Sequence, residues 1–138
     1  LYIKKMKLKR EFTKEETQTI VREKCKEWLD GLKANRSGAA HKLDLEFDIK
    51  PGQKYDKIIY SYEKGGASVH AFVDKNTGDI YKAKSWKSPA KGIRYNIHTD
   101  LDILVKHADT YGSYLYSDSA VIKIAKAAAF NKANEWRK

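Results

Sequence analysis

Apolar residues in this chain recur first at helical spacing and then at strand spacing. Val21, Cys25, Trp28 and Leu32 fall three or four apart, and Ile20 and Leu29 widen the stripe. That is the pattern of a helix with one buried face. Thr13 followed by Glu16 places a hydroxyl and an acid in capping-box register ahead of it, so a helix is predicted over 13–34. Gly31 weakens its interior, and Asn35 to Gly38 ends it.

From His41 to Ile49 the period becomes two. Leu43, Leu45, Phe47 and Ile49 alternate with Asp44, Glu46 and Asp48, which predicts a strand buried on one face. Pro51-Gly52 turns the chain into a second strand over Lys57 to Glu63. Gly65-Gly66 turns it again into Ser68 to Asp74. A short connection ending in Gly78 leads to a fourth strand, Asp79 to Lys84. Four strands joined by tight turns predict an antiparallel meander.

Ser85 to Asn96 reads as an irregular segment broken by Pro89 and Gly92. Thr99 and Asp102 suggest a second capping box, with Leu101, Leu104, Val105 and Ala108 as a short helix ending before Gly112. Tyr114 to Tyr116 reads as a brief strand. Ser117 to Ser119 caps a last helix with Val121, Ala125 and Ala128 on one face, Ile122 and Ala129 beside them. The expected fold is therefore α+β: an N-terminal helix packed on an antiparallel sheet of about four strands, followed by two further helices. Residues 1–12 form a basic arm and residues 13–138 one domain. Met6 is a candidate start, so residues 1–5 are left out of the fold.

Composition narrows the class. At 138 residues, with 41% hydrophobic and 33% charged side chains, the chain is long enough to bury one core. The single cysteine, Cys25, excludes an internal disulfide and a multi-cysteine metal site, and reads as a buried thiol in a reducing compartment. No apolar run approaches membrane-spanning length and no secretory leader is visible, so a cytoplasmic location is expected.

The net charge of +10 is unevenly placed. Residues 1–10 carry five Lys or Arg and no acid. Residues 11–79 carry twelve basic and thirteen acidic side chains, and residues 80–138 carry eleven and five. Cationic ends flank a neutral middle, which favours polyanionic partners. Between Asp79 and Asp100 there is no acid, while Lys82, Lys84, Lys87, Lys91 and Arg94 alternate with Tyr81, Trp86 and Tyr95. Lysines neutralise phosphates, and exposed aromatics stack on unpaired bases at about 1–3 kcal/mol each. The nucleic-acid-binding candidates are accordingly Lys82, Lys84, Trp86, Lys87, Lys91, Arg94 and Tyr95. The competing reading has Trp86 and Tyr95 pinning the loop to the core and the lysines merely solvated.

Other chemistry finds little support. Asp74 to Asp79 begins like a calcium loop, but position twelve is Ser85 and the glycine falls one place early, so the pattern fails. Asp44, Glu46 and Asp48 share a strand face, where a Mg²⁺ site competes with a plain wet face. His41, His70, His98 and His107 form no ligand-spaced pair, and no phosphate loop, dinucleotide fingerprint or nucleophile elbow occurs. No cofactor or metal is expected. Lys123-Ile-Ala-Lys126-Ala-Ala-Ala resembles the basic helix of double-stranded-RNA-binding domains, yet a loop, a helix and a candidate strand intervene before it.

Ser68-Val-His-Ala-Phe-Val-Asp-Lys-Asn-Thr-Gly-Asp-Ile-Tyr-Lys82, then Ser85-Trp-Lys-Ser-Pro-Ala-Lys-Gly-Ile-Arg-Tyr-Asn-Ile97, resembles a motif of small uncharacterised proteins of tailed bacteriophages. Tyr111-Gly112 and Tyr114-Leu115 extend the likeness. Tyr95 stands where that motif has glycine, and the Ala-rich last helix is additional. The resemblance implies a phage origin and a bacterial host cytoplasm, and brings no known activity with it.

Three functions are weighed against these features. The first is a non-enzymatic, nucleic-acid-associated protein of low sequence specificity that favours single strands through the basic and aromatic loop. The second is a phage interaction module docking that loop on an acidic host or virion protein. An unrecognised enzyme is the third, to be sought as a pocket where titratable groups converge.

Overall fold

The computed structural model describes residues 12–35 and 45–134, with side chains as far as 131. All but Phe12 of the basic arm, and the start of the first predicted strand up to residue 44, lie outside the described residues.

Helix α1 runs Lys14–Ala34, and its capping box forms as predicted. The Glu16 amide donates to Thr13 Oγ1 at 3.1 Å, and the Thr13 amide donates to Glu16 Oε1 at 3.2 Å. Val21, Cys25, Trp28, Leu29 and Leu32 are buried, so the helical stripe is the core-facing side. Gly31 has a role that its low helix propensity conceals. A Cβ there would lie 2.9 Å from Val105 Cα and 3.0 Å from its carbonyl oxygen, so glycine lets helix α2, Ile97–His107, approach to backbone contact. Asn35 then ties the two helix ends, its Nδ2 donating to the carbonyls of Val105 at 2.8 Å and Ala108 at 3.2 Å. Gly31→Ala is expected to lower unfolding free energy by up to about 2 kcal/mol in denaturant titration. Overpacking of roughly 1–3 kcal/mol exceeds the propensity gain of about 1.

The sheet has five strands in the order β1-β2-β3-β4-β5, every pair antiparallel: Leu45–Pro51, Tyr55–Tyr62, Ala67–Asp74, Asp79–Lys82 and Tyr95–Asn96. The four predicted strands are present, and β5 is the addition. Its two residues carry no periodicity. They pair with β4 because the Ser85–Arg94 loop closes on itself, the Ala90 amide donating to the Lys82 carbonyl at 2.7 Å and Arg94's to that of Ile80 at 2.7 Å.

Phe47, Ile58, Ala71, Val73, Ile80 and Tyr95 point from one sheet face into a core shared with α1, α2 and helix α3, Ala120–Asn134. A register shift at Ile58/Ile59 sets His70 into this core beside Trp28, Phe47, Tyr60 and Tyr114.

Two predicted starts are displaced. Helix α2 begins at Ile97, not at the Thr99–Asp102 box. Asn96 is the N-cap, its Oδ1 accepting from the His98 amide at 2.9 Å, while its Nδ2 donates to Thr77 O and Asp79 Oδ1, both at 3.0 Å. Tyr114 to Tyr116 is no strand but part of a 3₁₀ turn, Ser113–Leu115. Gly112 enters it with φ +73°, and the Asp109 carboxylate accepts from the Ser113 amide and hydroxyl. In α3, Ile122 and Ala125 are buried but Ala128 is exposed.

Candidate nucleic-acid interface

Alternation in the strands gives the sheet a second face, away from the helices. Asp56 and Ile58 are buried on the core side, so Tyr55 and Lys57 face outward. Phe72, in register with Lys57 and Tyr81, does the same. An aromatic row results. Tyr55 packs edge-on against Phe72 at 5.8 Å and against Tyr81 at 5.9 Å between ring centroids. Burial raises the Tyr81 hydroxyl pKa, with Asp79 adding to the effect.

The basic loop folds over one end of this face. Ser85 Oγ accepts from the amides of Lys87 at 3.3 Å and Ser88 at 3.2 Å, and the amides of Lys84 and Ser85 donate to the Ser88 carbonyl. This hydroxyl-anchored turn presents Trp86, 40% exposed. Lys50 Nζ lies 5.3 Å and Lys57 Nζ 4.8 Å from the Trp86 ring centroid, and Lys57 also sits 5.8 Å from that of Phe72. Lys54 Nζ lies 5.3 Å from the Tyr55 ring. Such contacts are worth about 0.5–1 kcal/mol when exposed. They hold cations beside an accessible indole. Glu46 and Asp48 are exposed on β1, while the lysines beside the rings come from the β1–β2 turn and the strand ends flanking it.

The seven predicted site residues therefore separate. Lys84, Trp86 and Lys87 are exposed on the loop, as is Lys91. Lys82 faces another way, its Nζ 4.8 Å from the Tyr116 ring in a cleft of about 120 Å³ with His70, Thr110 and Tyr111. Arg94 is a clasp. Its Nε donates to Leu115 O at 2.7 Å, and its Nη1 donates to the carbonyls of Lys91 at 3.1 Å and Gly92 at 3.0 Å. Tyr95 is 2% exposed and donates its hydroxyl to the Tyr114 carbonyl, with burial raising its pKa. Neither the Arg94 fork nor the Tyr95 ring is presented as expected, because β5 draws both against the core. Lys50, Lys54, Lys57 and Tyr55 were missed. No spacing along the chain marks them, since strand register is what brings Lys50 and Lys57 together beside Trp86.

Two further titratable groups are buried in the core. Burial pushes the His70 imidazole down to about 4, partly opposed by Asp109 and a Thr110 backbone bond. The ring is neutral at pH 7, hydrogen-bonded to the Tyr114 hydroxyl. Burial, with Asp56 nearby, pushes the Cys25 thiol up to about 12, which keeps it protonated and a poor nucleophile. No group of three metal-ligating side chains occurs among the described residues, and no helix among them is long and apolar enough to cross a membrane.

The model of a family described as "Family of unknown function (DUF7717)" matches residues 3–117. No curated protein and no solved structure matches the chain.

Proposed function

The chain belongs to that family, and we propose that it binds single-stranded nucleic acid, without strong sequence preference, on the outer face of its sheet. The observation that carries this reading is Trp86, 40% exposed with the ammonium groups of Lys50 and Lys57 within 5.3 Å of its ring centroid. A stacking surface and phosphate-neutralising charge stand together, which is what a flexible strand with unpaired bases requires. Lys84, Lys87 and Lys91 extend the cationic surface along the loop. Duplex grooves are less suited, since no described helix presents its basic residues beside this face. The setting proposed is the cytoplasm of a phage-infected bacterium, on the strength of the Ser85–Lys91 core of the motif that resembles tailed-phage proteins.

Fluorescence anisotropy with labelled single-stranded DNA, RNA and duplex DNA across a salt series tests the reading. Micromolar binding to single strands is expected, weakening with a slope equivalent to about four phosphates. Trp86→Ala is expected to weaken it by about 1–3 kcal/mol. Absence of binding at low salt would overturn the proposal. An acidic protein partner would use the same lysines without needing unpaired bases, so tighter binding to single strands than to duplex favours nucleic acid.

A further inference from the structure

Strand β4 is short, and its shortness leaves a gap in the sheet. It pairs only with Ala71, Phe72 and Val73 of β3. Beyond Lys82 the chain departs, Ala83 forming an isolated bridge with Pro89 before the Ser85–Ser88 turn. The start of β3, Ala67 to Val69, therefore has no strand beside it on that side among the described residues, while its other edge pairs with Ile59 to Ser61 of β2. The gap is an open cleft of about 310 Å³, bounded by Ala67, Ser68 and Val69 on one side and by Ala83, Lys84 and Trp86 on the other.

These parts meet the demands of one chemical group. An indole wall offers a stacking surface, and a lysine beside it offers a phosphate contact. An unpaired strand edge offers amides and carbonyls of the kind that bond the edge of a heterocycle. Three residues of strand span roughly 10 Å, which is short for an added peptide strand of five or six residues. We propose that this cleft seats a single unpaired nucleobase, with Lys84 at its phosphate. The inference rests on the nucleic-acid reading above and deepens it, from a general surface to a discrete seat for one base.

The test compares a labelled twelve-nucleotide thymidine strand with the same backbone carrying abasic sites throughout, on the full chain and on Ala67→Ile. Ala67 is exposed at the start of a strand, where isoleucine is favoured, and its added bulk would fill the cleft without adding a ring or a charge. The native chain is expected to bind the thymidine strand about ten-fold more tightly than the abasic one, within the range of one stacked base. Ala67→Ile is expected to bring that ratio close to one while leaving the salt slope unchanged. A ratio that survives Ala67→Ile places stacking elsewhere and overturns the cleft. Equal binding of both strands by the native chain, with a normal salt slope, also overturns it and leaves the electrostatic reading standing. If neither strand binds, both readings fail together.

Discussion

Replacing Arg22 by alanine is expected to lower the unfolding free energy by about 2–3 kcal/mol, far more than an ordinary helix-surface change. Arg22 Nη2 lies 3.0 Å from Oδ1 of Asp56, which is 1% exposed on the core side of β2. Without the guanidinium a carboxylate stays buried with no counterion, and its Oδ2 has no hydrogen-bond partner even in the native chain. Removing one member of a fully buried pair costs roughly 3–5 kcal/mol. Arg22 itself is 35% exposed, so water partly fills its place and the smaller figure applies. Because the pair joins α1 to β2, the effect should appear as a lower denaturation midpoint with an unchanged slope. Arg22→Ala combined with Asp56→Leu is expected to recover much of it, since the buried charge goes with its partner. An Arg22→Ala destabilisation below about 0.5 kcal/mol would show that Asp56 is solvated.

The second large effect concerns binding. Lys50→Glu with Lys57→Glu is expected to weaken single-strand affinity about 100-fold at 100 mM salt and to lower the salt slope by about 1.4, some 0.7 for each phosphate of a single strand that is no longer neutralised. Both ammonium groups lie by the exposed Trp86 ring, so their reversal places anions where the strand's phosphates would run. Lys123→Glu with Lys126→Glu changes net charge equally on exposed positions of α3. It should shift affinity by less than about three-fold. Equal effects from the two pairs would mean that net charge, not this face, governs binding. Anisotropy across the salt series reads both quantities.

The contrast between these lysine pairs shows what is legible along the chain. Lys84, Trp86 and Lys87 stand out because the acid-free run from Asp79 to Asp100 is visible as composition, and a hydroxyl-anchored turn presents all three. Lys50 and Lys57 do not, since nothing along the chain marks them as neighbours of Trp86. They meet it through strand register. Arg94 and Tyr95 belong to the same run, yet β5 turns the first into a clasp for Leu115 and the second into a core ring.

Gly31 shows the same division on a smaller scale. As one letter it is a weak helix residue, while against Val105 it is the reason that two helices touch. The Thr13–Glu16 cap, the Val21-to-Leu32 stripe and the alternation of Leu45, Phe47 and Ile49 are readable because their physics acts between residues a few positions apart. Capping bonds and the periods 3.6 and 2 are local. The two-residue β5, the start of α2 at Asn96 and the cleft left by a short β4 depend on partners that pairing brings together from distant positions. Asn96 is held by Asp79, and the cleft by Ala67 and Trp86. The sequence by itself thus determined the three helices, the four longer strands and the wealth of positive charge. Only the tertiary structure decided which of those charges stand beside an open aromatic ring.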